Sequence, residues 1–191
     1  MAILALDLAS KTGWAVYAKG MDRPHFGTEI IKRKTGSLGE AACRFEDFLF
    51  EKREIYEEFT DIVFEAQHVA EKINPMTVTL LMGLAFDTEK FAHKIGARVF
   101  CVPIGTWRSS FLGKGAFKHV RNEKGKVVHS ARDQAKERAI DVCNELGWYP
   151  PDDNAADACG ILDYYIKLLP STRGIIPPWR DATFLAGVRR G

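Results

Sequence analysis

Three carboxylates at the ends of separate apolar segments constrain the fold of this chain more than any other feature of its sequence. Asp7 lies in Ala-Leu-Asp-Leu, Glu65 in Ile-Val-Phe-Glu-Ala and Asp157 in Asp-Asn-Ala-Ala-Asp-Ala. An acidic side chain next to a buried strand is unfavourable unless it is paired or binds a cation. The sequence therefore predicts that the fold gathers the three acids into a site for a hard divalent cation.

Length and composition indicate one main domain. The 191 residues are 46% hydrophobic and 27% charged, which is typical of a soluble globular protein with a single core. No apolar run reaches the roughly 18 residues that span a bilayer, and the N-terminus lacks a secretory pattern, so we expect a cytoplasmic protein without membrane contact. The four cysteines have no C-x-x-C spacing, which predicts buried free thiols rather than a zinc site or disulfides.

The formal net charge of +2 conceals two basic segments. Residues 114–138 carry eight Lys and Arg against three acids, and residues 170–191 carry four Arg against one acid. The rest of the chain is therefore net acidic. Basic segments on an acidic body favour a polyanionic partner, although a charge run can also be only a solvated surface.

Hydrophobic spacing and capping residues predict an α/β order of three strands, helix, strand, helix, strand and further helices. The predicted strands are 2–7, 14–18, 27–32, 62–65 and 99–102. The predicted helices are 38–59, 75–95, one from Ser130 to before Gly147, and a last one from 153 or 154 to before Pro170. The apolar stripe of helix 75–95 suits either the core or a dimer interface.

This order divides the chain into a domain of residues 1–169 and a basic C-terminal tail of residues 170–191. A basic insertion at 113–129 alternates in polarity around Arg-Asn-Glu-Lys-Gly-Lys and predicts a β-hairpin, with a surface loop as the alternative. The apolar residues of the tail leave open whether it packs on the body or extends as a loose arm that contacts phosphates.

The three acidic motifs, in this order along the chain, resemble the RuvC family of Holliday-junction resolvases within the RNase H-like superfamily. The resemblance covers about residues 2–168 and is closer to phage or prophage members, which would act in a bacterial host cell. It implies an RNase H-like mixed five-stranded sheet flanked by helices on both faces. It also implies a homodimer that nicks symmetric strands of a four-way DNA junction.

The resemblance further implies an active site with two Mg²⁺ ions about 4 Å apart, for which Mn²⁺ would substitute. Asp7 would be shared by both ions, and Glu65 and Asp157 would each complete one side. Family members carry an acid where this chain has Asn154, so we expect Asn154 to be the fourth ligand, with Asp153 as an alternative. The resemblance gives catalytic roles to Lys114, in a Gly-Lys-Gly turn, and to Lys136.

Basic side chains around these motifs are the expected DNA contacts. His68 follows Glu65 by three residues, where resolvases present an aromatic wedge to the junction. The full set of expected contacts is Lys11, His68, Lys114, Lys118, Arg121, Lys124, Lys126 and Arg132.

Three functions other than junction resolution are compatible with parts of the sequence. Residues 7–13 also resemble the first phosphate loop of actin-like ATPases, but 191 residues are too few for the second domain that those proteins need, so no nucleotide cofactor is expected. A broader nuclease for flaps, forks or RNA–DNA hybrids remains open, as does a catalytically silent module that binds branched DNA. Cleavage of a synthetic junction with Mg²⁺ or Mn²⁺ would exclude the silent module, and substrate competition would separate the broader nuclease.

Overall fold

The computed structural model of the chain describes residues 1–67, 74–113 and 117–169. Five strands form one mixed sheet in the order β3-β2-β1-β4-β5. Their bounds are β1 Ala2–Asp7, β2 Lys11–Ala18, β3 His25–Ile30, β4 Phe59–Glu65 and β5 Arg98–Val102. The first three strands pair antiparallel, whereas β4 runs parallel to both β1 and β5. The predicted RNase H-like α/β fold is confirmed.

Two helices cover one face of the sheet, and side-chain caps fix where each begins. The first, α1 (Leu38–Tyr56), starts where the Ser37 hydroxyl accepts a hydrogen bond from the amide of Glu40, at 3.0 Å. The second, α2 (Pro75–Ile95), starts at the Asn74 cap and ends at Gly96, whose φ of 71° suits a left-handed glycine. Leu4 and Leu6 of β1 point into this layer.

Three helices cover the opposite face. They are α3 (Ile104–Phe111), α4 (Ala131–Glu145) and α5 (Asp153–Leu168), and α5 is buried along most of its length. Ile3 and Ala5 of β1 point into this layer, because successive side chains of a strand alternate between faces. A small hairpin of β6 (Val120–Arg121) and β7 (Val127–His129) precedes α4, as the sequence predicted for the insertion.

Several sequence-based boundaries are wrong. The first helix ends at Tyr56, and the next strand begins at Phe59 rather than at 62, because Phe59 is buried as the first residue of β4. Helix α3 was not predicted. Helix α5 does begin at Asp153, as predicted, with Asp152 as its cap, and Asp157 is its fifth residue. The apolar stripe of α2 is mainly core, since Leu80, Leu84 and Phe91 are buried.

All four cysteines are free, as predicted, but only Cys143 and Cys159 are buried, whereas Cys43 and Cys101 are exposed. Among the described helices, none combines the length and apolar character that a membrane crossing requires. The predicted tail of residues 170–191 lies outside the described residues.

Candidate active site

Asp7 and Glu65 are brought to one end and one face of the sheet by strand geometry. The parallel register pairs Leu6 with Phe64, so the last residues of β1 and β4 are neighbours. Counting back two residues from each gives Ala5 and Val63, which both pack into the layer of α3, α4 and α5. Asp7 and Glu65 therefore point towards that layer, because side chains at i and i+2 share a face.

Helix α5 brings the third acid to the same place because Gly13 allows it to approach β2 closely. Gly13 pairs with Asp7 across the β1–β2 ladder, and a Cβ atom at this position would overlap the backbone carbonyl of Asn154. The cap of α5 is held to the sheet as well, since the Thr28 hydroxyl donates to Asp152 at 2.5 Å. This docking places Asn154 and Asp157 beside the end of β1.

The unpredicted helix α3 contributes two side chains that contact the acids. The Trp107 indole N–H donates to Glu65 Oε2 at 2.7 Å, and Arg108 Nη2 lies 3.1 Å from Asp157 Oδ2. A glycine makes this possible too, because a Cβ on Gly160 of α5 would lie 2.6 Å from the Trp107 ring. Sequence reasoning missed both residues. The signal available was a Trp-Arg pair a few residues after the strand that follows Glu65.

Burial and mutual repulsion raise the pKa of the acids. Burial, followed by the charges of Asp157 and Glu65, raises the pKa of Asp7 to about 8. Burial likewise raises the pKa of Asp157 to about 6, although Arg108 acts in the opposite direction. Burial also raises the pKa of Glu65, opposed by the hydrogen bond from Trp107. Three acids that resist ionisation together form a site at which a bound cation would be strongly stabilised.

The donor atoms suit a hard cation, although the side chains do not yet converge on one point. Within the described ranges, no three Asp, Glu, His or Cys side chains are arranged to hold one ion as they stand. The reason is visible in the contacts, because Glu65 is turned towards Trp107 and Asp157 towards Arg108. Asp157 Oδ1 is buried and has no hydrogen-bond partner among the described residues, so it is free to bind a cation. Carboxylate oxygens and the Asn154 amide are ligands that Mg²⁺ accepts.

The three acids line a cleft of about 870 Å³. Asn154, Arg108, Arg132 and Lys136 line the same cleft. Lys136 forms an ion pair with Asp153, the residue expected as the alternative to Asn154. The charge of the Asp153 carboxylate is therefore already neutralised. Asn154 lines the cleft, whereas Asp153 is not among its lining residues.

Among the described residues, the remaining predicted DNA contacts are exposed and do not line the cleft. Lys118, Arg121, Lys124 and Lys126 are all exposed on or beside the hairpin, which is tied to α4 by a hydrogen bond from Gln134 to the Lys118 carbonyl, at 2.6 Å. Lys11 is exposed and forms an ion pair with Asp152, at 3.2 Å. His68 and Lys114 lie outside the described residues.

The strand order of the mixed sheet and the helices on both of its faces are those of an RNase H-like α/β fold. The structure is similar to Thermus thermophilus RuvC in complex with a Holliday junction substrate, with a TM-score of 0.61 and 12% identity, over 88% of this chain and 96% of that one. Thermus thermophilus RuvC in a second structure gives a TM-score of 0.59 and 15% identity over the same shares.

A yeast mitochondrial Holliday junction resolvase, Ydc2, is also similar, with a TM-score of 0.53 and 12% identity over 98% of this chain and 81% of that one. No protein-family model and no curated protein sequence matches the chain. The resemblance drawn from the three acidic motifs is therefore confirmed in the fold. Membership of the phage-type group stays a prediction.

Proposed function

We propose that this protein is a metal-dependent, structure-selective endonuclease that nicks symmetric strands of four-way DNA junctions. The observation that carries the proposal is the placement of Asp7, Glu65 and Asp157 on one face of an RNase H-like sheet. The similarity to a RuvC structure solved with a Holliday junction substrate supports the choice of DNA. The cleft that the acids line also carries Arg132 and Lys136, whose charges suit a nucleic-acid backbone.

Each acid has a distinct role in this proposal. Asp7, at the centre of the sheet, would be the shared ligand of two cations, and Glu65, Asp157 and the neutral amide of Asn154 would provide the other oxygens. A pair of Mg²⁺ or Mn²⁺ ions, when bound, would supply charge stabilisation and a nucleophile for hydrolysis of the phosphodiester. Glu65 and Asp157 must first turn from Trp107 and Arg108 towards Asp7.

The basic residues of the cleft hold the DNA strand in this proposal. Arg132 is exposed on the first turn of α4, and Lys136 lies one turn further along the same helix, so both can reach a phosphate near the acids. From the sequence alone, we assign the same type of role to Lys114, and to His68 the position of the wedge at the junction centre. The hairpin cations and Lys11 would contact DNA arms away from the cleavage site.

A homodimer is part of the proposal because two symmetric nicks require two active sites related by two-fold symmetry. The outer face of α2 carries apolar side chains that the fold leaves exposed, including Phe86 at 69% and Met82 at 53%. A second copy of the chain that packed on this face would cover them. The buried stripe of the same helix is engaged in the core, so it is the outer face that would pair.

A cruciform extruded in a supercoiled plasmid tests the activity and the paired nicking in one assay. Two nicks within one encounter give linear DNA, whereas a single nick relaxes the plasmid and gives an open circle. We expect linear product with Mg²⁺ or Mn²⁺. Asp7→Asn, Glu65→Gln and Asp157→Asn should each lower the rate by about 10³ or more, because each removes a cation ligand.

Junction binding by these three variants should be largely retained, since the acids do not contact phosphates directly. Turnover close to that of the wild-type protein in any one of them would remove that residue from the site. A wild-type protein that cuts flaps, forks or RNA–DNA hybrids faster than junctions would instead identify the broader nuclease. Binding without any cleavage under either metal would identify the silent DNA-binding module.

A further inference from the structure

Three consecutive basic residues after β3 stand out because no acid neutralises them. Lys32, Arg33 and Lys34 have no ion-pair partner among the described residues, and Arg33 and Lys34 are exposed. Two other cations of the cleft are paired, since Arg108 contacts Asp157 and Lys136 contacts Asp153, whereas Arg132 has no ion-pair partner among the described residues. Three adjacent like charges repel one another, so an unpaired run of this kind is typical of a surface that binds a polyanion.

The backbone fixes these residues at the rim of the cleft. Ile31, immediately before them, is buried at 1% exposure in the layer of α1 and α2. The amides of Ile31 and Lys32 both donate to the carbonyl of Ser10, each at 3.0 Å, which ties the segment to the β1–β2 turn. Lys32, Arg33, Lys34 and Ser10 all line the cleft that contains the acids. The position of the basic residues is thus set by the sheet.

The two basic groups of the cleft come from opposite sides of the sheet. Residues 32–34 lead from β3 into α1, which covers one face, whereas Arg132 and Lys136 belong to α4, which covers the other. The acids lie between them at the end of the sheet. The three acids repel phosphates. Positive charge on both sides of them would therefore favour binding of a DNA strand that crosses the cleft.

We propose that Lys32, Arg33 and Lys34 form a phosphate-binding rim that holds the DNA backbone on the side of the cleft opposite Arg132 and Lys136. This inference rests on the proposed function, because it concerns the DNA that the nuclease would cut. The ligand is the sugar–phosphate backbone, so the contacts add affinity and orientation without reading base sequence.

The test is the salt dependence of binding to a synthetic four-way junction in the presence of a chelator. The variant carries Lys32→Gln, Arg33→Gln and Lys34→Gln. The matched control carries Lys19→Gln, Arg23→Gln and Arg53→Gln, which remove the same charge from exposed positions outside the cleft. Like the rim, the control residues have no ion-pair partner among the residues that the structure describes.

We expect the rim variant to bind at least fivefold more weakly than the control at about 0.1 M salt. Its slope of log K against log salt should be shallower by about 0.9 for each phosphate contact that is lost. Thermal melting checks that both variants fold, and the double variant Arg33→Gln/Lys34→Gln, which changes only exposed side chains, replaces the triple variant if that one does not fold.

Equal affinities and slopes in the rim and control variants would overturn the proposed rim while leaving the nuclease intact, provided that the wild-type protein binds and cuts the junction. A wild-type protein that neither binds nor cuts the junction would overturn both proposals. The two failures are therefore distinguishable.

Discussion

At the scale of single residues, Arg108 occupies the position with the most direct consequence for cation binding. Its guanidinium contacts Asp157 Oδ2 at 3.1 Å, on the same carboxylate whose Oδ1 has no hydrogen-bond partner among the described residues. A positive charge at this distance competes with a divalent cation for the carboxylate and repels it. In the proposed site, Arg108 would thus limit the affinity for the cation, while its ion pair holds Asp157 in place.

Replacement of Arg108 by glutamine should tighten Mn²⁺ binding by about tenfold, corresponding to about 1.4 kcal/mol, because the competing charge is removed. Isothermal titration calorimetry of the protein without DNA measures this directly. Arg44→Gln is the control, since Arg44 pairs with Glu40 on α1, away from the cleft. Unchanged or weaker Mn²⁺ binding in Arg108→Gln would contradict the competition.

At the scale of secondary structure, helices with clear capping residues were predicted, whereas one short helix was not. The second helix was placed within one residue because Asn74, Pro75 and Gly96 mark both of its ends. Helix α3 was not predicted, because it has only eight residues and its Pro103 cap provides no side-chain hydrogen bond. Its contacts with Glu65 and Asp157 were therefore also beyond prediction, since they depend on how α3 packs against α5 and not on any local pattern.

The acids themselves were predictable because strand ends and a helix start leave a short sequence pattern. The orientation of their side chains was not, because it depends on Trp107 and Arg108, which are far from Asp157 in the sequence. The β-hairpin was predictable from its alternation around a Gly turn, and Gly125 adopts the left-handed φ of 74° that such a turn favours.

The hairpin carries a prediction of its own. Substitution of Lys118, Arg121, Lys124 and Lys126 by glutamine should flatten the salt dependence of junction binding by about 0.9 for each phosphate contact that is lost. The nicking rate at saturating enzyme should change much less, because all four side chains are exposed on or beside the hairpin and none lines the cleft. Fluorescence anisotropy gives the first quantity and a single-turnover assay the second. A loss of rate at saturation with an unchanged salt slope would contradict this division.

At the scale of the whole molecule, the acidic site works against folding stability at neutral pH. The pKa of Asp7 rises from the ordinary 3.8 to about 8, so the folded chain binds more protons than the unfolded chain between these values. The free energy of unfolding must therefore fall as pH rises through this window. Asp157, with its pKa raised to about 6, adds to the fall at the lower end. The pKa of Asp152 is lowered below 3.8, so its stabilising contribution to the free energy of unfolding is already complete above about pH 5 and does not change as pH rises further.

We expect the melting temperature, measured with a chelator, to fall between pH 5 and pH 8. Mn²⁺ or Mg²⁺ should raise it, and more so at pH 8, because the cation binds the ionised acids. Asp7→Asn should melt at least about 3 °C higher than the wild-type protein at pH 8, equivalent to about 1 kcal/mol, and should lose most of the pH dependence. A melting temperature that rises from pH 5 to pH 8 in the wild-type protein, or a less stable Asp7→Asn at pH 8, would contradict the burial of an ionisable Asp7.

Gly13 joins two parts of the site that are otherwise far apart in the chain. It pairs with Asp7 across the β1–β2 ladder, and its missing side chain lets the Asn154 backbone at the start of α5 approach β2 beside Asp7. Mg²⁺ prefers oxygens at about 2.0–2.1 Å, and Ca²⁺ prefers them at about 2.3–2.6 Å. A helix displaced by a few tenths of an ångström would thus favour the larger ion. In the proposed site, the absence of a side chain at Gly13 would therefore favour the smaller Mg²⁺ over Ca²⁺.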